Sequence, residues 1–157
     1  MSDLYDRDIV LWSERQADLL RRFSAGERVN GADLDWPKIA EEIEGVGNDQ
    51  RLAVESLLFQ ALIHALKIMA WPRARDVEHG RNETRVFREQ ARRRFVPSMR
   101  QRIDMTDLYA SALRAMPRRM YGQPPLPVPE TCPDTLDQLL GGEPCGMFPE
   151  EGDAPPL

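Results

Sequence analysis

The sequence predicts an all-α protein: a single bundle of five or six helices around a central buried helix near 48–69, with a short C-terminal helix. Three observations carry this. Apolar side chains recur at three- and four-residue steps through several segments, and no alternating run argues for a sheet. One segment is apolar almost all the way round, which is the mark of a helix surrounded by others. Proline and glycine punctuate the chain at intervals that suit helix ends.

The first helix is expected over about Asp3 to Ser24, with Ile9, Trp12, Gln16, Leu19, Leu20 and Phe23 on one face and Gly26 ending it in the left-handed region. A second, shorter helix is expected from Asp35, which caps it, with Pro37 in its first turn. Ile39, Ile43 and Val46 share its inner face, and Gly45 and Gly47 close it.

The third helix, about Asn48 to Met69, carries apolar residues from Leu52 to Met69 around most of its circumference. Only one narrow polar stripe remains: Ser56, Gln60, His64 and Lys67. Trp71-Pro72 ends it, because a residue before proline is pushed out of helical geometry. After a loop at 72–80, a fourth helix runs to about Val96 with Thr84, Phe87, Ala91 and Phe95 inward. A fifth covers Asp104 to Met116, with Thr106 as its cap. Residues 123–130 contain four prolines and must be extended. A last helix is expected from Pro133 to Leu140, docked through Leu136, Leu139 and Leu140. The domain is therefore placed at 1–142, with 143–157 a frayed tail rich in Pro, Gly and acids.

Length and composition agree with this. The chain has 157 residues, 41% hydrophobic and 30% charged, which suits one globular domain. The longest unbroken apolar runs, Ile9 to Trp12 and Ile68 to Trp71, fall far short of the roughly 20 residues of a membrane helix. The acidic N-terminus does not read as a signal peptide. Two cysteines, Cys132 and Cys145, suit a reducing compartment, so a cytoplasmic protein is expected. The net charge of −5 hides a basic middle: residues 67–102 hold 11 bases and 4 acids between two acidic segments.

No motif assigns an activity. There is no His-Glu-x-x-His, no paired Cys-x-x-Cys and no glycine-rich phosphate loop. The expectation is accordingly no metal, no cofactor and no catalytic set. Cys132, before Pro133, could cap a helix and gain reactivity from its dipole, but no histidine is placed beside it. Two constellations of polar side chains remain. If the second and third helices pack antiparallel, Glu41, Glu42, His64 and Lys67 would line a polar groove, with an enzyme or metal site on Glu42, His64 and Lys67 as its strongest form. On the fourth helix, Arg81, Arg85, Arg88 and Arg92 follow one ridge that suits phosphate contacts, hence RNA or DNA. Against that, the sequence pI is near 5.1 and no aromatic interleaves the ridge.

A set of segments stands in order along the chain: Leu4-Tyr5-Asp6-Arg7-Asp8 with Trp12, Leu34-Asp35-Trp36, Ile39 to Glu44, Leu62 to Lys67, Arg88-Glu89-Gln90, Pro129 to Pro133, and Leu136 with Leu139-Leu140. Together they resemble a bacterial family catalogued as domain of unknown function 29. The resemblance spans about 4–140 in order; it departs at Ala91, where the family often has another arginine. It implies an all-helical bacterial protein and no known activity, cofactor or partner. The leading functional expectation is a non-catalytic interaction module with a protein partner or a second copy. Nucleic-acid binding through the arginine ridge is the alternative, and no membrane partner is expected.

Overall fold

A computed structural model describes residues 2–141 together with Gly146 and Met147. Six α-helices follow one another: α1 (Ser2–Arg7), α2 (Ile9–Ser24), α3 (Trp36–Ala70), α4 (Val77–Arg94), α5 (Met105–Ala115) and α6 (Leu136–Leu139). Short 3-10 turns occupy Gly31–Asp33 and Pro97–Met99, and there is no strand among the described residues. The all-α class is as expected, and several boundaries are not.

The chain divides into two compact units, one ending at Asn48 and one beginning at Asp49. In the first, Trp12, Leu34 and Ile39 form a small core, joined by Leu4, Tyr5, Leu19, Leu20 and Val29. The expected first helix is broken at Asp8. That residue leaves helical geometry (φ −154°) and its carboxylate accepts from the Leu11 N–H at 2.9 Å, so it caps α2 instead of continuing α1. Gly26 takes φ +80° just past α2, as expected. Gln16, on the apolar face, is buried. Its side chain accepts from the Asp35 N–H and donates to the Asp33 carbonyl, satisfying loop backbone that the core would otherwise strand.

The largest departure is α3. The expected second and third helices are one helix of 35 residues. Asp35 and Pro37 start it as expected, Asp35 Oδ1 accepting from the Lys38 N–H at 3.4 Å. Gly45 and Gly47 do not end it. A glycine stops a helix by adopting positive φ, and among the described residues Gly26, Gly122 and Gly141 do so. By length and composition alone, α3 is also long and apolar enough to cross a membrane. Reading unbroken runs misses this, because the apolar residues are interleaved with single polar ones.

The second unit is built around the later turns of α3. Val54, Leu58, Leu62, Ala65 and Leu66 are buried against Ala91 of α4, Tyr109 and Ala112 of α5, and Leu136 and Leu139 of α6. Each fully buried leucine contributes about 1.5–3 kcal/mol relative to exposure. The buried central stretch near 48–69 is therefore as expected, except that Leu52 is exposed.

Remaining corrections are local. The loop before α4 is shorter than expected. Asp104, not Thr106, caps α5, accepting from the Thr106 and Asp107 N–H groups. α6 has only four residues, starts after Thr135 with a capping box to Gln138, and leaves Pro133 outside. The expectation for 143–157 lies mostly outside the described residues. Met147 is an exception: it is buried, and it and Gly146 donate backbone N–H groups to the Asp134 carboxylate.

Candidate functional site

The four residues of the expected polar groove are not brought together. That groove required two antiparallel helices, whereas Glu42 and His64 stand on one helix about six turns apart. Glu42 accepts from the Tyr5 hydroxyl, which holds the phenol above its ordinary pKa. Glu41 pairs with Lys38 at 2.7 Å, and the Lys38 ammonium lies 4.7 Å from the centre of the Tyr5 ring. These two glutamates thus close a polar cluster inside the first unit. No group of three His, Cys, Asp or Glu side chains able to hold a metal occurs among the described residues.

His64 and Lys67 go elsewhere. The stripe Ser56, Gln60, His64 and Lys67 is exposed at its first two members and half-buried at its last two. There it forms one wall of a small open cleft in the second unit. The far wall comes from the start of α4, with Asp76, His79 and Gly80, and Met120 closes one side. The chain has two histidines, and both line this cleft. The His64 ring stacks on Phe87, with centroids 5.7 Å apart. Burial, and next the Lys67 charge, hold its imidazole below the ordinary value, which favours the neutral form.

Sequence reasoning missed the element that shapes this cleft. Met120 and Gln123 exchange two backbone hydrogen bonds, of 3.0 and 2.8 Å, around Tyr121 and Gly122. Both central residues take positive φ, 49° and 77°, as in a hairpin turn of the primed type. A non-glycine residue there costs about 1–2 kcal/mol. Tyr121 is held by its hydroxyl, which donates to Asp76 Oδ2 at 3.0 Å, and by Arg75 stacked 4.7 Å from its ring centre. Asp76 is therefore engaged by Tyr121 and makes no side-chain cap at the N-terminus of α4. The Trp71 indole N–H donates to the Gln123 carbonyl, tying the turn to the end of α3. The sequence signal was Tyr-Gly after a helix-ending proline, a pattern that reads only as a loop.

The arginine ridge of α4 is largely spent inside the chain. Arg88 donates to the Leu139 and Gln138 carbonyls at 2.7 and 2.9 Å, at the C-terminal end of α6. Arg92 pairs with Glu89 at 2.8 Å, Arg81 lies 3.8 Å from Glu78, and Arg85 donates to Asn82. Cys132 is half-buried, donates to the Asp134 carbonyl and caps no helix; burial pushes its thiol up, away from the reactive thiolate. Cys145 lies outside the described residues.

A further feature is apolar. In the first unit Phe23, Trp36, Ile43 and Val46 are 57%, 49%, 68% and 65% exposed. Phe23 and Trp36 meet edge to face at 6.4 Å. Trp36, Ile43, Val46 and Gly47 share a stripe of α3 roughly 100° wide.

Comparison with known proteins places this fold. No curated protein matches the chain. A crystallised alpha-helical protein of unknown function from Rhodospirillum rubrum is 27% identical, covering 87% of this chain and 89% of its own, with a TM-score of 0.61. The family model described as domain of unknown function DUF29 matches residues 4–143, and the chain belongs to that family.

Proposed function

We propose that the chain is a non-catalytic docking module, whose first unit receives a basic amphipathic helix of another protein. The observation that carries this is the uncovered stripe of α3. Large apolar side chains about half exposed or more, sharing one stripe, mark an interaction surface rather than a solvated face. Gly45 and Gly47 add to it. Glycine inside a helix is unfavourable, and a β-carbon at either position would meet nothing within 4 Å, so packing within the chain does not require them. At Gly47 a partner backbone gains close approach.

Charge selects the partner. Up to Asn48 the chain has 11 acids and 6 bases, while the remainder has 15 of each; the whole formal charge of −5 sits in the first unit. Glu44 is exposed beside the stripe. A helix with an apolar face edged by Lys or Arg matches both properties.

The test titrates the full chain with a labelled peptide of about five helical turns patterned from Leu and Lys, and with its Leu and Glu counterpart. Only the basic peptide is expected to bind. Ile43→Asp is expected to weaken it by roughly tenfold. Mere charge attraction would strengthen on adding that acid, and this result would overturn the proposal. Sedimentation of the chain alone supplies the other arm: a dimer dispersed by Ile43→Asp would make a second copy the occupant and rule out the basic partner.

A further inference from the structure

The geometry points to the cleft between the end of α3 and the start of α4 as a binding site for a compact phosphate group, held by Lys67 with His64 and His79. This site is separate from the docking stripe and stands without it.

Three properties of the cleft converge. First, Lys67 is half-buried in its wall and has no carboxylate partner among the described residues. A partly desolvated ammonium gains most from an anion brought to it. Second, the surrounding segments are cationic. Residues 64–81 and 117–123 carry Lys67, Arg73, Arg75, Arg81, Arg118 and Arg119 against Asp76 and Glu78. Of these acids Asp76 lines the cleft itself, its carboxylate accepting from Tyr121, and Glu78 lies 3.8 Å from Arg81; the nearby acid on α4 is Glu83. Third, the two imidazoles supply N–H donors that turn to suit an oxygen-rich ligand, as neutral tautomers or as cations. Ile68, Trp71 and Met120 provide an apolar floor for whatever carries the group. A dianionic phosphate matches this donor set better than a carboxylate does, because it presents more acceptor oxygens and more charge.

The cleft also has a built rim. Tyr121 is kept at positive φ by Asp76 and Arg75, and backbone strain of this kind persists only where its surroundings enforce it. The enforced turn is what presents Met120 to the cleft.

The chain's two histidines make the test direct, since an NMR spectrum contains one imidazole Hε1 signal from each. Inorganic phosphate added to the full chain is expected to shift both signals saturably, with a Kd near the millimolar range typical of a small isolated group. Acetate at matched ionic strength is expected to shift them far less. Lys67→Gln is expected to weaken phosphate binding about tenfold, and Lys67→Arg by no more than about threefold, since it keeps the charge. Arg85→Gln, on an exposed part of α4, is expected to leave binding unchanged. Absence of a saturable shift, equal response to acetate, or equal affinity in folded Lys67→Gln would each overturn the site. If Lys67→Gln fails to fold, an undiminished response in Lys67→Arg together with the acetate comparison decides it.

Discussion

Trp12 fills the small core of the first unit, yet its indole N–H meets no acceptor among the described residues. A stranded donor costs about 1–3 kcal/mol, so Trp12 contributes less than its area suggests. Trp12→Phe should therefore lower stability by no more than about 1 kcal/mol, whereas Trp12→Ala, which leaves a cavity, should cost about 3–5 kcal/mol. Urea unfolding followed by circular dichroism distinguishes the two. At this scale the sequence is legible in place and not in partner. Spacing put Gln16 on the inner face and Arg88 on a ridge of α4, and both positions hold. Their partners are backbone groups of Asp33, Asp35, Gln138 and Leu139, and a carbonyl or amide leaves no mark in a sequence pattern. The ridge therefore read as a phosphate contact when one of its members was closing α6.

The elements were legible by type and less so by boundary. Periodicity identified the buried turns of α3, α4 and α5, because burial is what the apolar repeat encodes. The ends were set by competitions that composition does not weigh. Asp8 breaks the first helix because its carboxylate satisfies a backbone donor, a use equally open to any other Asp. Gly45 and Gly47 looked like a stop, and the helix runs through them because nothing there supplies positive φ or a proline. That mistake created the antiparallel pair on which the expected Glu41, Glu42, His64 and Lys67 groove depended. Since both glycines are helical and unobstructed, Gly45→Ala and Gly47→Ala should each raise stability by about 0.5–1 kcal/mol. Thermal unfolding checks that sign. Gly47→Ala should at the same time weaken the basic peptide; a variant that gains stability with no loss of binding would show that close approach at Gly47 plays no part.

Across the whole molecule, stability is unevenly spread. Among the described residues, fourteen buried ones make up the core of the second unit and three that of the first. Local opening follows buried apolar packing, so amide exchange should be slowest from Val54 to Leu66 and clearly faster in α2. Comparable protection in both stretches would contradict this. The charge imbalance runs the same way: the unit with the smaller core also holds the net negative charge, and self-repulsion lowers its stability further. The basic middle was visible by counting, but the cleft that Lys67 lines is closed by Met120, from a turn at Tyr121 that no periodicity announces.

The proline-rich segment after α5 behaves as a buckle. Its Gln123 carbonyl takes the Trp71 indole N–H from 52 residues earlier, Leu126 donates to the Ala70 carbonyl, and the Pro129 carbonyl receives the Tyr109 hydroxyl. Unfastened, it would leave a ring nitrogen, a helix-terminal oxygen and a phenol without these partners. A cut in this stretch would thus be felt at the far end of α3, even though every helix before it remained whole.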